Sequence, residues 1–264
     1  MDQAVLIDYR GEAAVRKWMI KKKIICTSIV LSVAILSNLY STPKDDPYED
    51  PNKKEHIAFI ESKIEEKRRN ALEIYTFANE SAPLDNKNVK QKLDKYLSRL
   101  SYDRLKSYKL HRSADKYLPK IAEILASYGI PEDFKYIPLV ESGLNPQTTS
   151  HKGAGGYWQF MPATARLYGL KVNGNVDERK DFIKSTHAAA RYIKNLYKEF
   201  GDWTLVAAAY NVGSGRLKSS MRRQKEDNYY NLKLNSETEA YVYKLISMKE
   251  VIEKPEKYGY EDVL

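Results

Sequence analysis

From Asp115 onward, apolar positions recur every three or four residues and are cut at short intervals by glycine and proline. Tyr117, Leu118, Ile121, Ile124, Leu125 and Tyr128 form one stripe closed by Gly129 and Pro131, which predicts an amphipathic helix with a sharp stop. A second helix is predicted from about Pro131 to Ser142, stopped by Gly143. After a glycine-rich loop, Pro162 opens a helix that ends near Gly169. Residues 178–200 carry the helical period through Phe182, Ile183, Thr186, Ala190, Ile193 and Tyr197 and stop at Gly201. Asp202 is placed to cap a helix running from Trp203 to Asn211, and Ser236 with Glu239 has the spacing of a capping box for the last long helix. No strand alternation of useful length occurs, so the fold class is mainly α.

Upstream, the pattern changes twice. Lys21, Lys22 and Lys23 precede an apolar run from Ile24 to about Tyr40. Positive charge followed by a short hydrophobic stretch makes residues 1–40 a signal peptide or an N-terminal membrane anchor. Export to the periplasm or cell envelope is expected on that basis, with the membrane held through residues 24–40 if the segment is retained. Residues 41–54, with Pro43, Pro47 and Pro51, read as a polar linker. Residues 55–100 read as accessory helices. One period runs over 55–78 through Ile57, Ile60, Ile64, Ala71 and Tyr75, and another over 87–100 through Val89, Leu93, Tyr96, Leu97 and Leu100.

Composition narrows the chemistry. With 264 residues, 42% of them hydrophobic, the chain can form one good domain plus an appendage. A single cysteine, Cys26, excludes an internal disulfide framework. His56, His111, His151 and His187 lie far apart, so no metal site and no cofactor are expected. The net charge of +9 suits an anionic partner. The Lys and Arg residues read as a solvated surface spread along helices, without a nucleic-acid module.

Phe134, Ile137 and Glu141 fall at i, i+3 and i+7 and therefore share one helix face. Glu141 stands at the C-terminal end of that face. Partial desolvation and the negative end of the helix dipole both disfavour its charged form. A carboxyl kept protonated at an apolar lip is what a general acid for glycosidic cleavage requires.

The residues immediately after Glu141 carry a more specific signal. Glu141-Ser142-Gly143-Leu144-Asn145-Pro146, Ser150, and Gly153 through Ala165 with Trp158-Gln159-Phe160-Met161-Pro162 at their centre resemble the signature of the lysozyme-like lytic transglycosylases, the SLT domain family. Ala207 through Gly215, containing Tyr210-Asn211, is similar to that family's second motif. Asp177-Glu178-Arg179, Glu237 through Val242, and Tyr258-Gly259-Tyr260 resemble a narrower, membrane-bound group within it. Three ordered motifs over roughly residues 100–260 make the signal specific.

The resemblance implies a lysozyme-like (goose-type/SLT) helical domain over residues 101–264, behind a helical prefix. It implies Glu141 as the catalytic acid and base. Ser150, Gln159, Met161, Tyr210 and Asn211 are implied as substrate-binding residues, with Tyr210 bonding and orienting the catalytic carboxyl. Small residues at 153–156 would let backbone approach a bulky polymer, and Ala207 through Ala209 would let a helix pack tightly behind the site. Trp158 is either a flat apolar surface or core filler.

The implied activity is cleavage of the MurNAc–GlcNAc β-1,4 bond of peptidoglycan by intramolecular transfer, giving 1,6-anhydroMurNAc ends. Most glycosidases use two carboxylates, and no second acid lies in the Glu141, Gln159 and Tyr210 motifs; Asp177 and Glu178 read as a helix start. Peptidoglycan glycan strands are the expected partner, with cell-envelope or secretion machinery as a further one. A lysozyme-type hydrolase and a catalytically silent peptidoglycan-binding protein remain as alternatives. Tyr157 and Val212 depart from the family's usual Leu and Ala.

Overall fold

The computed structural model describes residues 56–63 and 74–261. The segments expected as signal or anchor (1–40) and as linker (41–54) lie outside the described residues. The chain divides into two compact units, Met1–Asn70 and Ala71–Leu264. In the first, residues 56–63 are helical. The second carries the helices and motifs of interest.

That unit opens on a hairpin in place of a helix. Strands β1 (Thr76–Phe77) and β2 (Glu80–Ser81) pair antiparallel. Between them Ala78 and Asn79 take φ of 51° and 66°, the left-handed pair that a two-residue hairpin turn requires. The helical period expected to run through Tyr75 to residue 78 therefore fails over residues 74–78. Long-range contacts override local propensity here. Phe77 is fully buried against the Phe134 ring, with centroids 5.0 Å apart. The Ala78 N–H donates to Asp133 Oδ2 at 2.7 Å, and Lys249 Nζ meets the same oxygen at 2.8 Å. The Glu80 carboxylate accepts from the Trp203 and Thr204 N–H groups, both at 2.8 Å.

Ten α-helices come after the hairpin: α1 (Lys87–Leu100), α2 (Tyr102–Leu105), α3 (Lys109–Ser127), α4 (Ile137–Ser142), α5 (Pro162–Leu167), α6 (Phe182–Phe200), α7 (Trp203–Val212), α8 (Ser214–Gln224), α9 (Ser236–Glu239) and α10 (Tyr241–Glu253). The stripe on α1 buries Val89, Leu93 and Leu97 against α10. Residues 74–100 thus share one core with the later helices.

Helix ends obey local chemistry with three differences from expectation, the first being that the helix expected from about Pro131 starts at Ile137, after a 3₁₀ turn over Glu132–Tyr136. Asp202 caps α7 as expected, its Oδ1 accepting from the Leu205 N–H at 2.7 Å. The helix expected over 178–200 begins instead at Phe182. Asp177 caps a single 3₁₀ turn over Glu178–Lys180, and Asp181 caps α6. Nor does Ser236 cap the last helix. Asn235 caps the short helix α9, accepting from the Glu237 and Thr238 N–H groups at 3.1 and 3.0 Å, and the last helix, α10, starts after Ala240 with no side-chain cap.

Helix α7 is the centre of the unit. Leu205 through Ala209 are buried, and the three alanines let α6, α8 and α10 all pack on it. Trp158 is core, fully buried with its Nε1 donating to Thr186 Oγ1 at 3.1 Å.

The small residues after Ser150 serve the protein itself. Arg179 is held by Asp177 through two bonds of 2.8 Å and donates Nη1 to the Gly153 and Phe160 carbonyls at 2.7 and 2.9 Å. A Cβ on Gly155 would stand 3.0 Å from Arg179 Cζ, and one on Gly156 1.9 Å from the Arg179 carbonyl oxygen. The room expected for a polymer is filled by Arg179. Gly156→Ala should therefore lose about 3 kcal/mol or more of stability. Gly153→Ala, at φ 84° with open space around its Cβ, should lose about 1–2 kcal/mol from backbone strain alone. Equal losses in denaturant melts would contradict this assignment.

Candidate active site

Glu141 sits in the last turn of α4, a helix held to the core by the buried Ile137 and Leu139. The helix stops because Gly143 and Leu144 both turn left-handed, at φ 60° and 59°. Their N–H groups close the final carbonyls, Gly143 to Leu139 and Leu144 to Pro138. Leu144 is buried and anchors this turn. Ser142 Oγ donates to the Tyr157 carbonyl at 2.8 Å, so the end of α4 is tied to the glycine-rich loop.

Tyr241, in the first turn of α10, donates its hydroxyl to Glu141 Oε1 at 2.5 Å. Burial and then the nearby Glu141 charge hold this phenol well above its ordinary pKa, so it stays protonated and keeps a hydrogen to donate. Tyr210 makes a different bond from the one implied. Its hydroxyl donates to the Trp158 carbonyl at 2.8 Å. Tyr210 is also near enough for the Glu141 charge to raise its pKa, after burial. It walls the carboxyl and fixes the loop, while Tyr241 bonds the acid.

The Glu141 carboxyl is pushed up to about 6. Desolvation is the largest cause; the Tyr241 hydrogen bond opposes it, Glu237 raises it further and Lys244 lowers it. The carboxyl is poised to hold a proton in a mildly acidic medium and to release it as pH rises through about 6.

The other expected residues divide into two kinds. Ser150 is exposed, its Oγ accepting from the Ala154 N–H at 3.0 Å across a tight turn. Met161 is 43% exposed at the start of α5 and offers an apolar surface. Gln159 and Asn211 are committed internally. Gln159, at φ 49°, donates Nε2 to the Thr148 and Gly156 carbonyls, both at 2.9 Å. Asn211 accepts from Thr238 Oγ1 at 2.8 Å and donates to Glu237 Oε1 at 3.3 Å, locking α7 to α9. The resemblance gives no role to Tyr241 or Glu237, although both stand in the motif from Glu237 to Val242. Their i, i+4 spacing is the available signal. Among the described residues, no group of three or more His, Cys, Asp or Glu side chains is placed to hold a metal ion.

Comparison with known proteins fits this geometry. The transglycosylase SLT domain family matches residues 120–233. Membrane-bound lytic murein transglycosylase D of Escherichia coli (strain K12) is 35% identical over 180 residues, covering 66% of this chain and 39% of that protein. A candidate tributyltin chloride resistance protein of Alteromonas sp. (strain M-1) is 33% identical over 146 residues, covering 54% of this chain and 70% of that one.

The chain belongs to the transglycosylase SLT family.

Glu141, the loop to Phe160 and Tyr210 all fall inside the SLT match, whereas Tyr241 lies eight residues beyond its end. The chain spans 39% of the length of the E. coli relative. The 70 kDa soluble lytic transglycosylase of Escherichia coli aligns in structure with a TM-score of 0.44 and 20% identity, covering 62% of this chain and 29% of that one.

The raised carboxyl has a consequence for stability. The folded state binds the Glu141 proton more tightly than an unfolded chain with a carboxyl near 4.5. Its contribution is therefore full below pH 4.5 and is lost as pH rises through about 6. The loss is about 2 kcal/mol. Glu141→Gln, neutral at every pH, should gain roughly that amount on the native protein between pH 4.5 and pH 7.5 in thermal melts. A stability difference independent of pH would contradict the buried carboxyl.

Proposed function

We propose that this protein is a peptidoglycan lytic transglycosylase that cleaves the MurNAc–GlcNAc β-1,4 bond and leaves 1,6-anhydroMurNAc ends. The observation that carries the reading is the Glu141 carboxyl, desolvated, raised to about 6 and bonded by Tyr241 within an SLT domain. The names of the relatives support the substrate and the reaction type.

In this reading Glu141 gives its proton to the glycosidic oxygen as the C1–O bond breaks. The substrate's own N-acetyl carbonyl assists departure of the leaving sugar, in the place of a second enzyme carboxylate. Glu141, now charged, takes the proton of the muramic acid 6-hydroxyl, whose oxygen closes on C1. No water is consumed, and the enzyme regains its proton. Tyr241 serves both halves of the cycle: its hydroxyl donates to Oε1, holding the carboxyl in one orientation and stabilising it once it becomes charged. The Glu237 carboxylate accepts from Asn211 and acts on Glu141 through its charge.

Export to the periplasm or cell envelope belongs to the same proposal, supported by the basic and apolar pattern of residues 21–40. Among the described residues no helix is long and apolar enough to cross a membrane, so attachment would rest on residues 24–40. Envelope or secretion machinery is the proposed protein partner, and Ser150 and Met161 are the proposed substrate contacts.

Digestion of purified sacculi by the full chain, with Glu141→Gln alongside, tests the assignment by mass spectrometry of soluble products. Anhydromuropeptides from the native protein alone are expected, with at least a thousandfold loss in the variant, on the order of what removing an essential catalytic group costs. Reducing-end products would make the protein a lysozyme-type hydrolase. Binding to sacculi without release would make it a silent binding protein.

A further inference from the structure

The positive charge of this chain is not evenly spread. Residues 191–225 contain eight Lys and Arg side chains against two carboxylates, a net of +6 within a chain of +9. Seven of those cations are exposed; Arg191 bonds the Tyr168 carbonyl, which leaves Lys194, Lys198, Arg216, Arg222, Arg223 and Lys225. No carboxylate lies within ion-pair distance of any of them among the described residues. They sit on α6, on α8 and at the C-cap of α8. Both helices pack on α7, and Lys218 of α8 pairs with Glu199 of α6 at 3.0 Å. Lys218 thus links the two helices across one surface ion pair.

On α8 the arrangement is directional. Leu217 is fully buried and Met221 half-buried, so that face holds the helix to the core. Arg216 and Arg223 stand seven residues apart on the opposite face, about 10 Å along the helix axis. The helix begins where the site ends. Tyr210 and Asn211 occupy the last turn of α7, and Gly213, at φ 89°, turns the chain directly into α8.

We propose that the outer face of α8, centred on Arg216 and Arg223, binds the carboxylates of the peptides carried by a glycan strand whose sugar backbone occupies the site. This rests on the proposed substrate. The chemistry favours that occupant. Guanidinium forks match carboxylates in pairs. Tyr197, at 38% exposure and stacked on Trp203 at 3.8 Å, is the one large apolar side chain of residues 191–225 that is strongly exposed. The face therefore lacks the apolar wedge that a membrane-surface helix uses and suits a charged polymer in water. Each exposed pair is weak alone, but a polymer already held in the site presents its carboxylates at high effective concentration.

The test compares the full chain with the double variant Arg216→Ala, Arg223→Ala. The probes are glycan strands with their peptides intact and the same strands stripped of peptide. The native protein should cleave intact strands with the higher kcat/KM at low salt, an advantage that fades at high salt. The double variant should lose about tenfold on intact strands, mostly in KM. On stripped strands it should match the native rate. Equal losses on both strands, or no loss on either, would overturn the proposal. So would binding of the double-variant-sensitive kind to anionic phosphatidylglycerol vesicles with none to soluble muropeptides. Should the native protein cleave neither strand, the proposed function itself fails, and this inference with it.

Discussion

The hydrogen bond between Tyr241 and Glu141 joins two helices a hundred residues apart in the chain. It requires α4 to end one residue after Glu141 and α10 to begin at Tyr241 itself. Much of the rest can be understood as the means by which those two ends meet. The left-handed pair Gly143 and Leu144 stops α4 there. Asn235 and the break at Ala240 set the start of α10. The alanines of α7 allow the close packing that brings α10 alongside. The same packing removes water from the carboxyl, which is the largest cause of its raised pKa.

A second constraint is the loop between Glu141 and α5. It contains a non-glycine residue at positive φ, Gln159, and two glycines pressed against Arg179. Such a loop is held by polar groups acting inward: the Gln159 amide, the Arg179 guanidinium and the Tyr210 hydroxyl all bond its carbonyls. A loop fixed from behind in this way leaves its outer surface, with Ser150 and Met161, free to meet a ligand. Rigid support of this sort is what keeps a catalytic constellation within tolerance.

Much of this is legible in the sequence, for local reasons. The cap at Asp202 and the stops at Gly143 and Gly201 depend on neighbours a few residues away, and the structure has them; of the face expected to join Phe134, Ile137 and Glu141, only Ile137 and Glu141 lie on α4, because Phe134 falls in the 3₁₀ turn over Glu132–Tyr136. The hairpin over residues 76–81 is not legible, because Asp133, Phe134 and Trp203 hold it from 50 to 125 residues downstream. The same difficulty hides Tyr241. Two tyrosines, Tyr210 and Tyr241, lie in family-like motifs, and spacing alone does not say which hydroxyl reaches the carboxyl and which is taken by the Trp158 carbonyl. Arg179 is hidden because its partners are backbone carbonyls, which carry no side-chain signature.

The proposed chemistry stands on one electrostatic property: a desolvated Glu141, bonded by Tyr241, keeps its proton beyond the ordinary range of a carboxylic acid. Carbon-13 NMR titration of the side-chain carboxyls, with the Glu141 resonance identified by its absence in Glu141→Gln, measures this directly. A midpoint at about 6 is the predicted result. A midpoint at or below 4.5 would mean that the carboxyl is solvated and charged at working pH, and the assignment of Glu141 as a general acid would be contradicted.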